Sequence, residues 1–155
     1  MDAPSQIRPE RTTPLRAGPG ERAVGGIVAG VALVVLIIAA SLRPAEAGHG
    51  THTQIGLPPC SWVVWFDKPC PTCGMTTAFA NAGEGHWLAS FVTQPAGMLL
   101  CVATASAFWL GLHTLLTGSR IGSLTGWVLR PKPIAAMVLG LIGAWVYKIM
   151  TWNGF

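Results

Sequence analysis

Cys60, Cys70 and Cys73 fall in one short segment of a chain that is otherwise mostly apolar, and its centre reads Lys68-Pro69-Cys70-Pro71-Thr72-Cys73-Gly74-Met75-Thr76. Thiolates ligate metal ions, exchange with disulfides, or cross-link a loop, and the spacing leaves all three chemistries open. With His86 the three cysteines make a Cys₃His set of the kind that holds a tetrahedral zinc ion. The spacing is unlike that of zinc fingers, and a second CxxC is missing. His49 and His52, in Gly48-His49-Gly50-Thr51-His52, are alternative imidazoles, each more simply an exposed loop residue.

As a structural element, a disulfide among the same cysteines would pin a small loop in an oxidising compartment, where a bridge is typically worth ~2–4 kcal/mol. One cysteine would be left over. As a redox element, Cys70-Pro71-Thr72-Cys73 is a CxxC pair whose proline suits the first position of a helix. That predicts a helix over residues 72–82, ended by Gly83, with Cys70 at its cap, where backbone N–H groups favour a thiolate. Cys60 would then be the resolving thiol. No βαβ pattern surrounds the pair, which is the context that makes CxxC convincing as a redox site. The site is therefore read as a structural or metal-holding element of a non-enzymatic protein. A membrane thiol–disulfide oxidoreductase using Cys70 and Cys73 is the enzymatic alternative.

The elements that must position these thiols are membrane helices. The chain has 155 residues, of which 51% are apolar and only 10% charged. Soluble domains carry about 25% charged residues. Three uncharged or nearly uncharged runs, residues 23–42, 95–116 and 134–152, are long enough to cross a hydrocarbon core of roughly 30 Å. Residues 1–22, rich in Pro, Gly and charge, read as a disordered tail. Residues 43–94 form the cysteine loop, and 117–133 the remaining connection. The fold class expected is an all-α integral membrane protein. It has three transmembrane helices, with a short interfacial helix pair carrying the CxxC motif between the first two.

Basic residues set the orientation. Arg8, Arg11, Arg16 and Arg22 in the tail and Arg120, Arg130 and Lys132 in the later connection lie on one side, against Arg43 and Lys68 on the other. Positive residues stay cytoplasmic, which puts the amino terminus on the cytoplasmic side of the cell inner (cytoplasmic) membrane and the cysteine loop outside. Ala45-Glu46-Ala47 followed by Gly48 matches a signal-peptidase site, but the apolar run exceeds the usual core of about 7–15 residues, which favours a retained anchor. Lys148 is expected to snorkel to the interface, with Trp145, Tyr147 and Trp152 in a headgroup-level belt.

Small residues at four-residue spacing, Gly26/Gly30, Ala103/Ala107/Gly111 and Gly140/Ala144, would let helices approach closely, either each other or a partner membrane protein. Cys101, inside the second run, reads as a small buried apolar residue, and His113 as a polar helix-end residue. Glu84 with His86, and Asp67 with Lys68, read as solvated surface pairs. No phosphate-binding Gly-rich loop and no basic-aromatic surface supports nucleotide hydrolysis or nucleic-acid binding. No ionisable residue lies at mid-span, which argues against transport.

Gly56-Leu57-Pro58-Pro59-Cys60, the run from Lys68 to Phe79, Gly85 and a Pro95 that opens a span together resemble the small bacterial membrane proteins grouped as domain of unknown function 2752. That family's core is an upstream Cys, Cys-Pro-x-Cys-Gly-x-Thr-Arg-Ala-Phe, a Gly-Asp-like turn and Asn-Pro before a membrane helix. The resemblance covers roughly residues 55–116. It implies a membrane location and a common site, and no activity. Thr77 stands where the family has arginine, and Gln94-Pro95 replaces Asn-Pro.

Overall fold

Each of the three long helices opens on a proline, the residue whose missing N–H costs nothing in a first turn. The structure, a computed structural model, describes residues 17–119 and 131–152. Among the described residues it is helical without strands. The long helices are α1 (Pro19–Ser41), α5 (Pro95–Thr117) and α6 (Pro131–Met150), each long and apolar enough to span a membrane. Between α1 and α5 lie a 3₁₀ turn (Thr51–Ile55), α2 (Ser61–Phe66), α3 (Met75–Gly83) and α4 (Trp87–Thr93).

The sequence-based boundaries shift for local reasons. α1 begins at Pro19, ahead of its apolar run, because the Gly18 N–H is satisfied by the Glu21 carboxylate at 2.9 Å. The rest of the expected tail, residues 1–16, lies outside the described residues, as do 120–130 of the later connection. α1 ends before Arg43-Pro44, where a following proline disfavours helical backbone. α6 begins at Pro131 instead of residue 134 and ends at Met150 instead of 152.

The long helices carry their apolar side chains outward. Ile27, Leu99 and Leu139 are 66%, 64% and 68% exposed, an arrangement that water would penalise and lipid tolerates. This is a membrane protein. The helices are held by close backbone approach. A Cβ added at Gly111 would lie 2.6 Å from the Gly25 carbonyl oxygen and 3.0 Å from the Ala29 N, so α1 and α5 cross with almost nothing between them. The α1 surface in use is Gly25 and Ala29. Of the expected pair, Gly26 meets only the Leu115 side chain and Gly30 has open space around it. At one end Arg22 donates to the Leu115 carbonyl at 2.8 and 3.0 Å, tying the start of α1 to the last turn of α5.

Gly111→Val should therefore lower stability by about 1–3 kcal/mol, the usual range for overpacking. Gly143→Val, where nothing lies within 4 Å, should be near neutral. Denaturant titration of the detergent-solubilised protein checks both.

Candidate thiol site

The cysteine segment is built from short helices with defined stops. Cys60 caps the start of α2, and Asp67, in left-handed conformation (φ 48°), ends that helix. Lys68-Pro69 then leads into the CxxC. Here the structure corrects the expectation of a helix from residue 72 capped by Cys70. The Cys73 N–H donates to the Cys70 carbonyl at 3.0 Å, so the four residues close as a turn of their own. The helix cap is Gly74 (φ 86°), and α3 starts at Met75.

A Cβ at Gly74 would lie 2.7 Å from the Gly48 carbonyl and 3.2 Å from the Lys148 Nζ, so only glycine fits. The thiol at a helix start is instead that of Cys60. Burial opposes its ionisation, but the approach of the Val63 and Trp62 backbone N–H groups and of Cys70 outweighs burial and lowers its pKa.

α3 is the hub beneath the turn. Ala78 and Ala80 are fully buried and Thr77, Phe79, Asn81 and Ala82 nearly so, because its small side chains let α1, α4 and α5 close around it. Its polar groups are matched: the Thr77 and Thr51 hydroxyls pair at 2.8 Å, the Ser90 hydroxyl donates to the Ala78 carbonyl at 2.7 Å, and Asn81 Nδ2 donates to the Thr77 carbonyl at 3.1 Å. Thr77, at the position where the resembled family has arginine, thus anchors the 3₁₀ turn. Gln94 is fully buried and its Nε2 donates to the Pro71 carbonyl at 3.3 Å, fastening the CxxC turn to the start of α5. Cys101 packs with Ala39, Phe79 and Ala82, as its apolar reading requires. α2 and α4 expose Trp65, Phe66, Leu88 and Phe91, which suits short helices lying along a bilayer surface.

The three Sγ atoms of Cys60, Cys70 and Cys73 lie within 4.8 Å of one another, and none of the four cysteines is bonded to another. Cys73 is buried, and its thiol pKa is raised to about 11. Desolvation contributes most, then the neighbouring Cys70 and Cys60, with Lys148 opposing them weakly. The sulfurs line an open cleft of about 590 Å³. Its other wall is apolar, formed by Val35, Ile38 and Leu42 at the end of α1 and by Leu100 of α5.

The histidines separate. His86, expected as fourth ligand, is not among the converging groups. It caps α4 as an exposed residue, with its Nδ1 3.3 Å from the Glu84 carboxylate. The Gly85 turn (φ 83°) that ends α3 carries it away from the thiols. His49 bonds the Ala47 carbonyl and packs on Trp152 at 4.6 Å between ring centroids. His52 does line the cleft, and its Nε2 is 3.1 Å from the Pro58 carbonyl.

What the sequence reading missed is the role of the end of α6. Trp145 Nε1 donates to the Pro69 carbonyl at 3.0 Å, beside Cys70, and the Tyr147 hydroxyl donates to the Val92 carbonyl at 3.0 Å. Lys148 does not snorkel. It is 7% exposed, and its ammonium donates to the Gly48 and Thr93 carbonyls, both at 3.1 Å. These three residues at positions i, i+2 and i+3 share no simple face. The only sequence signal was an unusual concentration of donors at one helix end.

No curated protein and no solved structure matches this chain. Residues 60–108, the stretch holding all three converging cysteines, match the model of the family described as protein of unknown function (DUF2752), the same family that the Cys-Pro-x-Cys-Gly-x-Thr run resembles.

Proposed function

We propose that Cys60, Cys70 and Cys73 hold a thiophilic divalent metal ion of the zinc type, on the outer face of the cytoplasmic membrane. The protein around them is read as a non-enzymatic accessory or interaction protein. The observation that carries this reading is that three sulfurs converge within 4.8 Å, whereas a disulfide uses two and leaves the third idle. A zinc ion about 2.3 Å from each sulfur needs them roughly 3.8 Å apart in tetrahedral geometry, so a contraction of an ångström or less completes the set. The fourth position would be filled from the cleft. His52 is the imidazole lining it, and an Nε2–H donated to the Pro58 carbonyl would leave Nδ1 as the ligating nitrogen.

The amino terminus is read as cytoplasmic because Arg22 and Lys132 start their helices at the end opposite the cysteines. Lipid is the evident partner. The open surroundings of Gly30 and Gly140 leave room for a second membrane protein.

Native mass of the detergent-purified chain tests the reading. A metal mass lost to chelator, with three loop thiols alkylatable only afterwards, supports it. A mass two units light, with one alkylatable loop thiol, would replace it with a bridge. That bridge would be a structural staple of the loop or, in a second reading, the oxidised state of a thiol–disulfide exchange site. Support for that second reading is a partly exposed Cys60 with lowered pKa beside a buried Cys73 with raised pKa. In the metal reading, His52→Ala should weaken cadmium binding measurably while His86→Ala leaves it unchanged, as followed by thiolate-to-cadmium absorption.

A further inference from the structure

Lys148 presents a charge problem that its hydrogen bonds do not solve. An ammonium has three donors and no acceptor, and two donors are used on the Gly48 and Thr93 carbonyls. It is buried, and no carboxylate of the described residues pairs with it. Buried charges are normally paired. The thiol cluster, which becomes negative when its thiols ionise, is close by. The Nζ lies 3.2 Å from where a Cβ of Gly74, the residue after Cys73, would stand, which places the ammonium beside the CxxC turn.

We propose that Lys148 is the counter-charge of a metal–trithiolate at Cys60, Cys70 and Cys73, and so a positioning residue that couples α6 to occupancy of the site. The proposal rests on the metal reading above and adds a charge balance to it. A divalent ion that displaces three thiol protons forms a complex of charge −1, with three protons released to solvent. A neutral fourth ligand leaves that charge unchanged. One buried ammonium brings the assembly to neutrality. α6 would then be held by Lys148 through carbonyls of the loop before the 3₁₀ turn and of the end of α4, and also through the site itself.

The same balance supplies a test that separates charge from mere loop anchoring. Arsenite binds three thiols by exchanging three hydroxides for three thiolates. It releases three waters and gives an uncharged arsenic trithiolate without oxidation or reduction. The full chain in detergent is titrated with cadmium ion and, separately, with arsenite, as wild type, Lys148→Met and Lys148→Gln. Glutamine keeps an N–H donor for the carbonyls on a slightly shorter side chain and removes the charge.

The expected result is a roughly 10- to 100-fold loss of cadmium affinity in both variants, the range typical of outer-shell changes, with arsenite affinity within about twofold of wild type. Equal losses for cadmium and arsenite in both variants would reduce Lys148 to a structural tether and overturn the proposal. Unchanged cadmium binding would also overturn it. A wild-type chain that forms no cadmium–thiolate absorption would sink the metal reading itself, and this inference with it.

Discussion

Cys73→Ser is expected to abolish tight metal binding, lowering cadmium affinity more than about 100-fold, since changes outside the ligand set alone cost about 10–100-fold. The buried sulfur is the one the site has least means of replacing. A serine hydroxyl is a poor ligand for a soft ion and brings an unmatched polar group into the same apolar surroundings. Cys101→Ser is the control, because Cys101 packs against Ala39, Phe79 and Ala82, away from the cluster. Its substitution should change stability and leave cadmium absorption intact.

The metal-free protein offers an independent check. Alkylation should reach Cys60 first, since its pKa is lowered and it is partly exposed. It should reach Cys73 last, its rate still rising with pH until the thiol ionises near about 11. The sign of the stability change follows from the direction. Cys73 holds its proton more tightly folded than unfolded, so its contribution is full below pH 9, the ordinary value for the group, and is lost as pH rises toward about 11. Cys73 labelled as fast as Cys60 at neutral pH would refute the buried geometry.

Gly74→Ala is expected to damage fold and site together. Left-handed backbone costs a residue with a Cβ about 1–2 kcal/mol, and overpacking adds about 1–3 kcal/mol. The obstacle is backbone: the new Cβ would sit 2.7 Å from the Gly48 carbonyl, beside the Lys148 ammonium that the same carbonyl holds. Relief requires the Cys70–Cys73 turn or the Gly48 loop to move, and either displaces sulfur. Thermal unfolding should show the stability loss, and cadmium titration should show weakened binding at temperatures where the chain remains folded. A variant with wild-type melting and binding would mean that the turn tolerates a side chain at this position. Gly56→Ala is a useful comparison, since Gly56 shares the positive φ but has nothing within 4 Å and should show the backbone cost alone.

These effects mark what could be read in advance. The three spans were legible because lipid demands a long uncharged run, and such a run cannot be hidden in a sequence. The trio of cysteines was legible because nothing else in the chain carries comparable chemistry. Three features were not. Cys-Pro-Thr-Cys by itself suits a helix cap at Cys70. Gly74, in left-handed conformation, is the cap instead, four residues on, and the favourable N–H approach is found at Cys60, at the start of α2. Ligand type alone groups His86 with the thiols, while the turn at Gly85 carries it to an exposed helix start. Lys148 looked like an interfacial anchor because a lysine near a span end ordinarily is one.

By itself the sequence determined the solvent, the number of helices that could cross it, and the short stretch that holds the reactive groups. All of these depend on composition and near neighbours. Only the tertiary structure decided which ligand-type residues meet. Cys60 and Cys73 are brought together by α2 and a turn, and Lys148 reaches Gly48 across 100 positions of chain. Contacts of that separation depend on how α1, α5 and α6 stand beside one another. That arrangement is fixed by backbone approaches such as Gly25 against Gly111, whose partners no local pattern names.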